Sequence, residues 1–268
     1  MTPNDGRGNV LIHSLFSPYL TVVLAFVLFY CADIFLKHGF DSVKRTPTSK
    51  AALARLRNYS LSVFHALASG FGALICLLVC ENFLEDIITA ENEIAYHLIG
   101  FSTGYFFHDI YHNICTGICS RSLEIILHHI TVVTSFLIVI QYRILVPYAL
   151  FGLLMELNSI FLHGRHIMLY FDIDPHSVVY QTNFKANVVT FVIFRILLTP
   201  GMYIWAILNR RLLPVFVSTV LITSFTIFTV MNFILFWRVL SSERRIMREG
   251  HTLKSKDKVI SNGLHNTK

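Results

Sequence analysis

The sequence predicts an all-α polytopic membrane protein with about seven transmembrane helices. Three observations carry that prediction. Of 268 residues, 54% are hydrophobic and only 14% charged, against roughly 25% charged in soluble domains. The mean hydropathy is +0.59. Apolar runs of about 20 residues, enough to cross about 30 Å of hydrocarbon at 1.5 Å per residue, recur along almost the whole chain. Such a composition excludes a soluble globular enzyme, and the 23 Phe exclude a disordered chain.

The runs lie at about Ile12 to Leu36, Tyr59 to Cys80, Ile94 to Cys115, Leu123 to Ile140, Ile144 to Tyr170, Ala186 to Leu208 and Leu212 to Trp237. The third is the least apolar and the fourth the shortest, which leaves six or five as the rival count. The first is too long for a signal-peptide core and no A-x-A-like site follows it, so it is expected to remain as an anchor. Residues 1–44 therefore form an N-terminal segment with the first helix, 45–240 the main domain, and 241–268 a basic cytosolic tail expected to be disordered.

Orientation follows from Lys and Arg, which cytoplasmic loops hold in excess. The first loop carries Lys37, Lys44, Arg45, Lys50, Arg55 and Arg57, whereas the second, from Glu81 to Glu93, holds five acids and no base. With the N-terminus outside, the cytosolic side collects sixteen bases and the outer side four; Arg165 and Arg195 lie within spans. The net charge of +6 is then explained by orientation against an anionic inner leaflet, and no nucleic-acid partner is expected. The five Cys form no C-x-x-C pair and read as small membrane-embedded residues; Cys115 and Cys119 lie near the cytosolic face, where palmitoylation is chemically open.

Ionisable groups within hydrocarbon are costly and normally face a bundle interior or a wet cavity. This chain places His65 in the second run, His108, Asp109 and His112 in the third, His128 and His129 in the fourth, Glu156, Asn158, His163, Arg165 and His166 in the fifth, and Arg195 in the sixth. Alternating span direction converts sequence position into depth. His65, His108, His128 and His163 then all fall roughly 8 to 11 Å beneath the cytosolic face. Shared depth on four helices predicts a cavity that meets a lipid headgroup or acyl donor, lined by His65, His108, Asp109, His112, Glu156, Asn158, His163 and Arg195. A polar network that merely ties helices together is the plainer alternative. His128 and His129 point about 100° apart, so one can serve the cavity while the other bonds a neighbouring helix. The spacings His108-x3-His112 and His163-x2-His166 are similar to histidine boxes of membrane di-iron enzymes. No H-x-x-H-H box and too few acidic ligands are present, so no metal and no cofactor is expected.

At these residues the sequence resembles the TLC domain family. The resemblance runs from Arg57-Asn58 and Ser60-x4-His65-Ala66, through His128-His129, to Met155-Glu156-Leu157-Asn158-Ser159 and Phe161-Leu162-His163-x-Arg165. The last two motifs are most similar to the group of TLC domain-containing proteins 1 and 2. The resemblance implies six helices around a central cavity preceded by one further helix. It also implies a regulator of membrane fluidity at the plasma membrane, with the endoplasmic reticulum as the alternative, that limits incorporation of polyunsaturated acyl chains into phospholipids. Ceramide synthases of the same superfamily use the paired His and a later acidic motif for acyl-CoA-dependent acyl transfer. That relation makes His128 and His129 the catalytic candidates of a second reading, a lipid acyltransferase with acyl-CoA as substrate. Two Asp are expected at the acidic motif, where this chain has Glu156 and Asn158, and no His precedes them. Membrane phospholipids, acyl-CoA or lipid-remodelling enzymes are the partners so implied.

The sixteen-to-four charge split predicts that epitope tags at the two ends differ in accessibility in intact cells, the N-terminal one being labelled from outside. Equal exposure of both would contradict an odd number of spans.

Overall fold

A computed structural model describes residues 17–41, 49–117 and 123–265. Lys44, Arg45, Cys119 and Arg121, and the start of the first predicted run, lie outside them. No strand occurs among the described residues. The helices are α1 (Pro18–Asp41), α2 (Lys50–Val79), α3 (Glu93–Cys115), α4 (Leu123–Tyr142), α5 (Val146–Leu153), α6 (Glu156–Tyr170), α7 (Val178–Phe191), α8 (Leu198–Leu208) and α9 (Val215–His265). A π-turn, Val192–Leu197, joins α7 to α8, and α5 follows into α6 through Leu154 and Met155. Among the described residues, nine helices thus make seven rods.

Six rods are long and apolar enough to cross a membrane. The exception is α3, the run that reads as least apolar. Its 23 residues span about 34 Å, but its buried faces carry Ser102, Thr103, His108, Asp109, His112 and Asn113 in place of aliphatic side chains. Two rods begin earlier than their apolar runs. α2 starts at Lys50, because Lys-Ala-Ala-Leu-Ala-Arg-Leu-Arg is a string of strong helix formers. Arg57 in that added turn donates to Asp33 of α1 at 2.9 Å. α7 starts at Val178, where the Ser177 hydroxyl accepts from the Tyr180 amide.

Six rods close a ring in the order α2, α3, α4, α9, α7–α8 and α5–α6, and α1 lies outside it against α3 and α2. Each pairing of charged ends agrees with alternating direction. Arg143, after α4, bonds Glu91 and Glu93 before α3, and Arg238 of α9 bonds Glu124 at the start of α4. These exposed pairs contribute little energy each, although they report which ends share a face. In the loop between α2 and α3, the Thr89 hydroxyl and nearby backbone amides donate to Asp86 and hold its carboxyl below the ordinary value. The four cysteines among the described residues are free; Cys76 is buried, while Cys31 and Cys115 are exposed on the outer surface of the bundle.

The last rod corrects one expectation. α9 runs on past the apolar stretch, so the tail expected to be disordered from Ser241 continues as helix to His265. The cause lies at Glu243, which is buried and accepts from Arg165 at 2.9 Å and from the Tyr180 hydroxyl at 2.8 Å. Arg165 is itself 2% exposed. Removing one partner of such a pair typically costs about 3–5 kcal/mol, because the other charge stays buried. That pairing ties this part of α9 to α6 and α7.

Close approach of α1 to α3 depends on Gly100 and Gly104, four residues apart on one face. A Cβ at Gly104 would collide with the Val22 carbonyl oxygen and lie 2.7 Å from the Ala25 Cβ, and one at Gly100 would lie 2.9 Å from the Pro18 carbonyl oxygen. Small residues at this spacing let helix backbones touch in lipid. Gly104→Ala is therefore expected to lower stability by about 1–3 kcal/mol through overpacking, whereas Gly201→Ala, with nothing within 4 Å of the added carbon, should not. Thermal unfolding in detergent separates the two, and equal midpoints for Gly104→Ala and wild type would contradict the packing described.

Candidate functional site

Two of the seven rods are interrupted, and the interruptions face each other. Between α5 and α6 the backbone tightens into i→i−3 bonds, including Met155 N–H to Gly152 O at 3.2 Å and Asn158 N–H to Met155 O at 3.2 Å. Opposite, the π-turn precedes Pro200, which has no N–H to offer the carbonyls one turn earlier. Side chains make good that loss. Asn232 of α9 donates to the Arg195 carbonyl at 3.4 Å, and the Thr199 hydroxyl to the Phe194 carbonyl at 3.4 Å. Irregular backbone at membrane depth is tolerated only where protein or a cavity satisfies it.

A cavity lies beside this junction. Its walls come from α3, α4, α5 and α9, with Phe106, Phe136, Phe225, Phe228 and aliphatic side chains making it chiefly apolar. From His128 to Val139, both lining residues, the rise along α4 is about 16 Å, half the hydrocarbon thickness. Ionisable groups cluster toward one end: His128, Glu156 and Arg195.

Arg195 is 7% exposed. Its guanidinium donates to the Ser159 hydroxyl at 2.8 Å and to the Asn232 carbonyl oxygen at 3.3 Å, and its Nε has no partner. No carboxylate among the described residues lies within 4.0 Å of it; its direct acceptors are neutral, and the Glu156 carboxyl lines the same cavity beyond that distance. Asn232 also donates to Thr199 at 3.3 Å, which joins the last three rods into one polar node. Such an arrangement suits an anionic oxygen, to which a guanidinium offers paired donors.

Behind the cavity wall the remaining groups form a contiguous polar layer. His129 Nδ1 is 2.7 Å from Asp109 Oδ2, which also accepts from Asn113 at 2.9 Å. His128, by contrast, packs edge-on against Phe228 at the cavity. The adjacent histidines do divide as a 100° separation requires. His65, fully buried, stacks on Tyr105 at 3.9 Å and has Nδ1 3.9 Å from Glu156 Oε2. Asn158 ties α6 to α7, donating to Asn187 at 2.8 Å and Thr190 at 3.1 Å. His163 stacks on Tyr59. His108 and His112 face α1, with His112 Nδ1 3.4 Å from Asp33.

Of the ten candidate residues, His128, Glu156 and Arg195 line this cavity. The others pack against neighbouring helices, and at His65, His108 and His163 a buried ring nitrogen has no hydrogen-bond partner. Sequence reasoning missed Ser159, Asn232 and Asp33 at these contacts. Asp33 sits one helix earlier than the domain considered, and Asn232 is a lone amide in an apolar run, which is the signal that would have singled it out.

Fold and site together define a multi-pass helical membrane protein with an amphipathic internal cavity. A family model described as the TLC domain matches residues 55–241, and the chain belongs to that family. It is 30% identical over 224 residues to TLC domain-containing protein 2 of Danio rerio, covering 83% of this chain and 91% of that protein. Human TLC domain-containing protein 1 is 31% identical over 189 residues, covering 70% of this chain and 75% of that one.

Proposed function

We propose that this protein regulates membrane phospholipid composition, and thereby fluidity, by holding a single lipid or acyl group in its internal cavity. In this reading it limits incorporation of polyunsaturated acyl chains into phospholipids at the plasma membrane, with the endoplasmic reticulum as the alternative site. The observation that carries the proposal is the pairing of an apolar pocket with Arg195 and Glu156 at one end. An acyl chain fills the apolar length, and Arg195 meets a phosphate or carboxylate that would otherwise be expensive to place in hydrocarbon. By the charge asymmetry, that polar end faces the cytosolic half. Remodelling enzymes would then compete for the lipid so held.

A second reading, acyl transfer from acyl-CoA, is favoured by the 2.7 Å contact of His129 with Asp109 and by His128 at the cavity. There an imidazole takes the proton from a lipid amine or hydroxyl as that atom attacks the thioester carbonyl, and the CoA thiolate leaves and is protonated.

Lipidomics of knockout cells rescued with wild type, Arg195→Gln, His128→Gln and His129→Gln at matched abundance distinguishes the two. For a lipid-holding regulator, Arg195→Gln abolishes the effect on phospholipid acyl composition and the histidine variants largely keep it. For an acyltransferase, at least one histidine variant loses activity by roughly 10²-fold or more. Full function of Arg195→Gln would overturn the first reading, and an unchanged lipidome on knockout would overturn both.

A further inference from the structure

Outside the cavity, on the face of α3 that packs against α1, a second cluster stands that the lipid-holding function does not use. His108 and His112 are one turn apart on α3, and Asp33 of α1 stands opposite. One ligand atom from each of the three lies within 4.8 Å of the other two. Both imidazoles are buried, with 1% and 2% of their surface exposed.

Proton accounting makes this more than proximity. His112 Nε2 lies 3.2 Å from the Ala54 carbonyl oxygen, which can only accept, so that nitrogen carries the hydrogen. Nδ1 of the neutral ring then presents a lone pair 3.4 Å from Asp33 Oδ2, itself an acceptor. Two acceptors so placed repel unless a cation lies between them or the ring takes a second proton. His108 Nε2, in the same cluster, is buried without a partner. The other oxygen of Asp33 accepts from Arg57 Nε at 2.9 Å. A carbonyl fixing the histidine tautomer and a donor orienting the carboxylate are the outer supports that metal ligands characteristically have. The His112–Asp33 separation of 3.4 Å also fits, since ligands about 2.1 Å from a tetrahedral ion stand roughly 3.4 Å from one another.

We propose that Asp33, His108 and His112 form a binding site for a divalent first-row transition-metal ion such as zinc. Two imidazole nitrogens and one carboxylate oxygen suit that class and leave a coordination position open for water or another ligand. The site joins α1 to the ring independently of the cavity, so it stands whether or not the lipid reading does. Spacing within α3 alone could not show it, since the carboxylate comes from a different helix.

The test uses the full-length protein, purified in detergent through a tag without histidines, stripped with chelator and titrated with Co²⁺. Wild type should bind about one equivalent with visible d–d bands that zinc abolishes, and its thermal midpoint should rise with added metal. Asp33→Asn and His108→Gln should each weaken binding by more than about 10-fold and lose that stabilisation, while Arg57→Gln weakens it by about 10-fold to 100-fold, as loss of an outer support does. Absence of saturable Co²⁺ binding by wild type would overturn the proposal and leave a charged His112–Asp33 pair. Binding undiminished in Asp33→Asn and His108→Gln would overturn it equally. Should one variant fail to fold, the other and the wild-type titration decide.

Discussion

A guanidinium held among apolar helices, hydrogen-bonded to neutral side chains and sharing its cavity with the Glu156 carboxyl, is the constraint around which this bundle is arranged. Placing Arg195 at a helix centre in hydrocarbon costs about 2.5–3.5 kcal/mol on insertion scales, and the chain offsets part of that with Ser159 and Asn232. Holding those acceptors in place requires three rods to meet at one node. Two of them are also the two that break. The π-turn carries Arg195 itself, and the tightened segment at Leu154 and Met155 sets Ser159 in the first turn of α6 beside it. A regular helix in either rod would bond its own backbone but present these side chains at different angles. Broken helices at membrane depth are thus tied to the cavity that they line.

The surrounding packing explains why the space stays open. Large aromatic residues, Phe106, Phe136, Phe225 and Phe228, stand as walls, while Ala149 and Gly152 leave room on α5. Elsewhere the bundle is close-packed, as at Gly104 against α1, where not even a methyl group fits. Rigid contacts outside the ring and a void within it divide the structure into a scaffold and a receptacle. The Arg165–Glu243 pair belongs to the scaffold: it anchors the extension of α9 to α6 and α7 without lining the cavity.

Much of this is legible from the residues. Apolar run length gives the rods, and alternating direction puts His65, His108, His128 and His163 at one calculated depth; the contacts His65–Glu156 and His129–Asp109 come from the packing of the helices. Depth alone does not give azimuth, however. A histidine at the right height points to the lumen, to a neighbour or to α1 according to its position around the helix, and only His128 among the predicted histidines lines the cavity. Long-range partners escape for a related reason. Asp33 and Glu243 lie near the ends of apolar runs, where charge is ordinary, and nothing local marks them as buried or nearly so. Gly100-Phe-Ser-Thr-Gly104 did carry a readable signal, since small residues four apart in an apolar setting announce close helix contact. The break at Leu154 has only Gly152 in its tightened turn as a local signal and contains no Pro; it arises from the tertiary node.

The central claim is that the cavity holds a lipid through Arg195. Native mass spectrometry of the protein released from gentle detergent tests it most directly, with co-bound species identified after ejection. Wild type should carry one phospholipid or fatty acyl species, and Arg195→Gln, folded to the same extent, should lose most of that occupancy. A wild-type protein that emerges free of lipid, or equal occupancy in the two, would contradict the account.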